Sequence, residues 1–145
     1  MLSFIGEMEL EYVKVYYRAP IVYMVFKEGV ELGIPEIREL ITCAEMLSEK
    51  KPYVIFCDAR VKMDVTAEGR RLTASGKAAP LHRGTAVLVK NTLYQYAATL
   101  FSKFEKPQFP YRVFTDEQEA LDWLLQLPLS YSEVDKDEYS HKGLK

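Results

Sequence analysis

Apolar positions crowd into one unbroken run, Tyr53-Val54-Ile55-Phe56-Cys57, which stops at the carboxylate of Asp58. The run is too short for a buried helix, is rich in β-branched and aromatic residues, and follows a Lys50-Lys51-Pro52 breaker. It therefore predicts a central strand covered on both faces. Upstream, Glu9 to Tyr17 alternates, with Val13, Val15 and Tyr17 on one side and Tyr12, Lys14 and Tyr16 on the other. That period of two predicts a strand with one wetter face. Arg18-Ala19-Pro20 turns the chain, and Ile21 to Phe26 reads as an antiparallel partner that ends at Glu28-Gly29.

Helical spacing takes over from Ile34 to Lys50, where Ile34, Ile37, Leu40, Ile41, Ala44 and Leu47 share a face. After the central strand, Thr66-Ala67-Glu68 carries a hydroxyl cap and a first-turn acid, predicting a helix to about Ala79. Its propensity is weak, because Gly69 and Gly76 each cost ~1 kcal/mol relative to alanine, and its apolar face is small. Thr85 to Val89 predicts a second buried strand. Asn91 then caps a helix in which Leu93, Ala97, Leu100, Phe101 and Phe104 share a face. A short strand from Tyr111 to Phe114 leads into Thr115-Asp116-Glu117-Gln118, read as a capping box. The helix it opens turns Ala120, Leu121, Leu124 and Leu127 inward, with Trp123 beside them. Residues 1–128 form one domain on this reading, and residues 129–145 a polar tail.

The resulting order, ββαβαβαβα without an internal repeat, gives an α/β fold with a single mixed sheet of about five strands. Parallel central strands joined by short right-handed crossovers follow from it. The first hairpin falls at a sheet edge, and its tyrosines Tyr12, Tyr16, Tyr17 and Tyr23 suit pairing with a second copy. Tyr12, Tyr16 and Tyr23 mark this candidate homodimer edge.

Composition narrows the partners. A chain of 145 residues with 48% hydrophobic residues supplies a real core. A net charge of −2 offers no global field for nucleic acid. Charge is nevertheless uneven: Arg60, Lys62, Arg70, Arg71, Lys77, Arg83 and Lys90 face only Asp64 and Glu68 in that stretch, predicting a local basic face. Such a face would attract an acidic partner or an anionic ligand, or would be occluded by Glu133, Asp135, Asp137 and Glu138 of the tail. No run approaches ~20 apolar residues, so the chain is not membrane-spanning, and without a secretory leader the expected location is cytoplasmic. Cys43 and Cys57 fall in a predicted helix and a predicted strand, where small buried thiols are common and a disulfide is not expected.

The order of elements, taken with Thr85-Ala86-Val87-Leu88-Val89-Lys90, Leu100-Phe101-Ser102-Lys103-Phe104 and the stretch from Tyr111 to Leu124, resembles the SpoIIAA-like branch of the STAS superfamily. The resemblance covers about Glu9 to Leu127 and is mostly structural. Members that act as anti-sigma-factor antagonists carry a phosphorylatable hydroxyl in an Asp-Ser-Ser/Thr-Gly turn. The matching stretch here is Met63-Asp64-Val65-Thr66-Ala67. Asp64 is retained and Thr66 stands at the second hydroxyl position, while Val65 and Ala67 replace the first hydroxyl and the glycine. The resemblance makes Thr66 the candidate phosphoacceptor, and the competing role is a simple helix cap.

Chemistry beyond that is sparse. Asp58 ends a central strand, as the phosphoacceptor of a response-regulator receiver does, but the acidic pair and the lysine that receivers need are missing. Pairing with Arg60 or Lys90 suits Asp58 better. Cys57 and His82 lack a third, orienting group, and no Cys/His cluster suggests a metal. The expectation is a non-enzymatic regulatory or protein-interaction module of STAS type, with no cofactor and another protein as partner. Its recognition surface would comprise Asp58, Arg60, Lys62, Asp64, Thr66, Arg70 and Arg71. The alternative is a carrier for a small apolar or lipid ligand, since the superfamily's fold is similar to that of CRAL-TRIO lipid-transfer proteins. Loose helices beside Leu72, Leu81 and Phe104 could open a pocket for it.

Overall fold

A computed structural model describes residues 6–129, with backbone alone over residues 100–104. The strands are β1 (Glu7–Glu9), β2 (Val13–Arg18), β3 (Ile21–Phe26), β4 (Val30–Leu32), β5 (Tyr53–Asp58), β6 (Met63–Val65), β7 (His82–Leu88) and β8 (Tyr111–Phe114). The helices are α1 (Ile34–Leu47), α2 (Ala67–Ser75), α3 (Thr92–Glu105) and α4 (Glu117–Leu125). Six strands form one mixed sheet in the order β1-β2-β3-β5-β7-β8, and β4 pairs with β6 in a separate parallel ladder. Antiparallel pairing joins β1, β2 and β3, whereas β3, β5, β7 and β8 run parallel.

The apolar run at 53–58 is the strand between β3 and β7, as its composition predicts. Strand alternation sends Val54 and Phe56 to one face, where they pack with Ile21, Leu88, Phe114 and Leu124 under α4. Tyr53, Ile55 and Cys57 point to the other face, with Met24 and Phe26 of β3 and the apolar stripe of α1. Burial of Val54, Phe56, Leu88 and Leu124 stabilises the first face by roughly 1.5–3 kcal/mol per side chain.

Several local expectations change. The sheet has six strands rather than five, because Glu7–Glu9 lies along β2. The β2–β3 hairpin is therefore not the rim. Two three-residue segments, Val30–Leu32 and Met63–Val65, pair with each other, although the sequence pattern assigns a strand to neither. Helix α1 ends at Leu47, and Glu49 and Lys50 adopt positive φ. Helix α2 ends at Ser75 because Gly76 is its left-handed C-cap at φ +72, so this glycine terminates the helix rather than weakening it. Gly69 does lie inside, and it admits close approach: a Cβ there would stand 3.0 Å from the Leu32 carbonyl oxygen. The cap of α4 is Asp116, whose carboxylate accepts from the Glu119 amide, not Thr115. Asn91 accepts from the Leu93 and Tyr94 amides as predicted, but Leu93 is 73% exposed, so it does not belong to an inward stripe. The side chains of Leu100, Phe101 and Phe104 and the tail from residue 130 lie outside the described residues.

Two substitutions test this packing. At Gly84 an added Cβ would run into Leu127 Cδ1 and lie 3.3 Å from the Pro110 carbonyl oxygen. Gly84→Ala should therefore lower unfolding stability by roughly 1–3 kcal/mol, read by urea denaturation. Thr66→Ala should cost about 1 kcal/mol by loss of the α2 cap, and Thr66→Ser should recover most of it.

Candidate functional site

The loop after β5, expected to be a recognition surface, is largely consumed by bonds within the chain. Arg60 grips Asp58 at both carboxylate oxygens, Nε to Oδ1 at 2.9 Å and Nη2 to Oδ2 at 2.7 Å, and its amide adds a third bond to Oδ1. Burial pushes the Asp58 carboxyl up, but the hydrogen bonds and charge of Arg60 outweigh it and hold the group below the usual carboxylate range. Arg60 also lies 3.7 Å from Glu117 in the first turn of α4, tying the end of β5 to that helix. Arg70 donates to the Val65 carbonyl at 2.7 Å and stands 3.7 Å from Glu105, and Arg71 stands 4.0 Å from Glu68. The Lys62 amide donates to Glu28, and the Asp64 carboxylate accepts from the Val65 amide. Thr66 Oγ1 accepts from the Gly69 amide at 3.0 Å, which is the capping role. The basic face is thus dispersed: Arg83 donates to the Pro80 and Leu129 carbonyls, and Lys90 sits over the Tyr94 ring.

The tyrosines of the first hairpin separate as well. Tyr12 reaches α1, where its hydroxyl donates to Glu39 and the Glu36 carbonyl. Tyr16 and Tyr23 are directly opposed on the other face of the sheet, and Tyr23 packs on Phe56 with ring centroids 5.6 Å apart.

What the structure brings together is a cavity of about 520 Å³ between the sheet and helices α1, α2 and α3. Its floor is the second face of the parallel strands: Met24, Ile55, Cys57, Thr85 and Val87, with Tyr111 beyond. The pairing register puts Met24, Cys57 and Val87 in one cross-strand row and Ile55, Thr85 and Tyr111 in the next. Helix α1 contributes Ile37, Leu40, Ile41 and Ala44, while α2 offers Leu72 and Thr73 and α3 offers Ala97 and Ala98. The β4–β6 ladder closes the carboxyl end of the sheet with Leu32, Met63 and Val65, and Lys62, Asp64 and Arg70 are the charged residues there. Both three-residue strands read apolar, acidic, apolar, a signal too short to identify a strand from sequence.

At the amino end of the strands the lining turns polar without charge. His82 Nε2 and Thr85 Oγ1 are 2.6 Å apart, and the His82 ring lies between Phe109, at 4.4 Å, and Tyr53, at 6.0 Å between centroids. Burial, helped by the charge of Arg83 and opposed by a backbone hydrogen bond with Gly84, pushes His82 down to about 4, so the imidazole is neutral at physiological pH. Tyr53 is fully buried, and its hydroxyl has no hydrogen-bond partner among the described residues. Burial and the charge of Glu45 raise its pKa well above the ordinary phenol, against a smaller opposing effect of Arg83, so it keeps its proton. The Cys57 thiol is pushed up to about 12 by burial and by Asp58, which leaves no thiolate for nucleophilic attack at neutral pH. Leu81, expected beside the pocket, packs against the α1-side core, and Cys43 is a free thiol buried in α1. Among the described residues no group of His, Cys, Asp and Glu is arranged to hold a metal, and no helix is long and apolar enough to cross a membrane.

The depressed pKa of His82 makes a signed prediction. The unfolded chain takes up a proton near pH 6.5 that the folded chain refuses until about pH 4. Stability should be full above pH 6.5, fall as pH drops through that window, and stop falling on this account below it. The loss amounts to about 3 kcal/mol at most. His82→Gln should flatten the pH dependence of urea denaturation between pH 7 and 4.5; an unchanged slope would place the titration elsewhere.

No curated protein matches this chain. Among solved structures, the chain is similar to an uncharacterized protein of the DUF3478 family with a SpoIIAA-like fold from Shewanella loihica PV-4. The TM-score is 0.51 and the identity 18%, over 82% of this chain and 99% of that one. At that identity the likeness concerns the fold, which is SpoIIAA-like, in agreement with the resemblance seen in the element order and the stretches at 85–90, 100–104 and 111–124. Residues 15–128 match the family described as a domain of unknown function, DUF7793, and with that span covered the chain belongs to this family.

Proposed function

We propose that the protein binds and carries a small apolar or lipid-like ligand in the cavity between its sheet and helices α1 to α3. One observation carries the reading: about 520 Å³ of concave, mostly apolar space on the hydrophobic face of the central strands. That volume lies within the range of roughly 300–1,000 Å³ occupied by small-molecule sites, and mostly apolar walls with a few convergent polar groups are the usual lining. Each methylene of a ligand buried there contributes about 0.8 kcal/mol. The thiol at its centre is protonated and the imidazole at its amino end is neutral at physiological pH, which suits binding rather than acid–base or nucleophilic chemistry.

A regulatory or protein-interaction module centred on Asp58 to Arg71 has less support from the geometry. Arg60, Arg70 and Arg71, the arginines that would recognise an acidic partner, all face carboxylates of this chain, and the Thr66 hydroxyl is committed to its cap.

Native mass spectrometry of the purified protein should show a bound apolar molecule that is released on denaturation, and the neutral dye N-phenyl-1-naphthylamine should bind with enhanced fluorescence after delipidation. Val87→Phe, which puts a ring into the cavity floor, should weaken dye binding at least about tenfold while leaving the far-ultraviolet circular dichroism unchanged. Dye binding that is absent in the parent, or unaffected by the phenylalanine, would remove the carrier reading.

A further inference from the structure

Helix α3 is amphipathic in the opposite sense to a helix that only covers its own domain. The side chains it turns toward the sheet are Gln95, whose amide donates to the Val113 carbonyl at 3.2 Å, and Ala98, which lines the cavity. Leu93, Tyr96 and Ala97, at the i, i+3, i+4 spacing of one helical face, are exposed instead. Leu93 and Tyr96 are the two most exposed large hydrophobic side chains among the described residues, and Tyr94, also exposed, adjoins them. A surface helix ordinarily points such a stripe into the core, so an outward one marks a contact with something else.

The helix's place in the fold and its charge select the partner. The cavity is open to solvent, and Tyr94 and Ala97 of α3 and Thr73 of α2 both line it and are exposed, which sets α3 on the rim of its mouth. From Lys90 to Lys106 the chain has three lysines and one acid, Glu105, and that acid stands 3.7 Å from Arg70. Lys90 is exposed and its ammonium lies 5.0 Å from the centre of the Tyr94 ring, so cation and apolar stripe lie side by side. Leucine, tyrosine and lysine together on one surface helix suit the headgroup layer of an anionic bilayer. Leucine buries among the acyl chains, tyrosine sits at the polar boundary and lysine meets phosphate. A second copy fits less well, because two such stripes face to face bring like charges together. We propose that α3 docks on an anionic lipid surface through Leu93, Tyr94 and Tyr96, with Lys90 against the headgroups, and that this contact sets the mouth of the cavity against the bilayer. The role of the mouth rests on the carrier reading above, to which the docking adds the surface from which an apolar ligand enters.

Co-sedimentation of the full chain with vesicles of phosphatidylcholine containing about 30% phosphatidylglycerol, against vesicles of phosphatidylcholine alone, tests the docking. The parent should bind the anionic vesicles, and bind the neutral ones at least about fivefold more weakly. Leu93→Ser combined with Tyr96→Ser should weaken binding to the anionic vesicles at least about tenfold, and Lys90→Gln by roughly threefold to fivefold. Neither Leu93 nor Tyr96 lines the cavity, so the double variant should keep the parent's far-ultraviolet circular dichroism and its affinity for N-phenyl-1-naphthylamine. Val87→Phe should still bind vesicles, because the contact is made by the outer face of α3. A parent that fails to bind the anionic vesicles, or a double variant that binds them as the parent does, overturns the docking, while intact dye binding still upholds the carrier reading. A dimer in sedimentation that the double variant dissociates, with no vesicle binding, assigns the stripe to a second copy and overturns the docking as well. Vesicle binding that depends on Leu93 and Tyr96 in a protein that takes up no dye upholds the docking and removes the carrier reading.

Discussion

Two neighbours flank the strand from Tyr53 to Asp58 on its hydrogen-bonding edges, and two layers cover its faces, and these constraints together settle the rest of the molecule. Parallel pairing with β3 and β7 fixes the register, so residues of odd and even number along β5 cannot exchange faces without breaking both ladders. The even residues meet α4 in a filled core with Ala86, Leu88, Phe114 and Leu124. The odd residues meet three helices across a hollow. A one-residue slip would put Val54 and Phe56 in the cavity and Tyr53 and Cys57 against α4, and the burial that holds α4 to the sheet would be lost.

Much of this was legible because it is written in periodicity. The run at 53–57, the period of two in Val13, Val15 and Tyr17, and the helical spacing from Ile34 to Leu47 each exceed what a loop produces by chance, and each forms the element expected. Caps at Thr66 and Asn91 were legible for a different reason: one side-chain oxygen and nearby orphan amides suffice, and both are local. What stayed hidden is non-local or too short. Glu7–Glu9 becomes a strand only because β2 offers it an edge, and β4 and β6 are strands only for one another. Asp116 and Thr115 compete for one cap, and residue type alone does not decide between neighbours of similar propensity.

The charged stretch after β5 illustrates how a pattern can mislead about function. Seven cations against two anions over residues 60–90 describe a basic face only if the acids lie elsewhere. Folding instead brings Glu105 to Arg70 and Glu117 to Arg60. Both acids come from beyond the window in which the charge was counted. Asp58, with its bidentate arginine and its helix contact, therefore serves as a tie between β5 and α4. The candidate cavity, by contrast, left only a faint mark: small residues in the helices that flank it.

That mark explains why one face is hollow and the other is not. Over the filled face, α4 presents Leu121, Trp123 and Leu124, and Leu127 follows it, occupying the ground that Gly84 leaves open. Over the hollow face, α3 presents Ala97 and Ala98, the end of α2 presents Thr73 and Gly76, and Ala78 and Ala79 follow. Helix α3 also turns Leu93 and Tyr96 to solvent at 73% and 64% exposure, and of its bulky described side chains Tyr94 alone lines the cavity. Anchors outside the cavity hold the cover in place: Gln95 donates to the Val113 carbonyl, and Gln108 amide to the Ala74 carbonyl. A cover of short side chains tethered at its ends stands away from the strands. The space beneath it follows from residue size, and its floor is the opposite face of the same strands, part of which α1 covers with Ile37, Leu40 and Ala44.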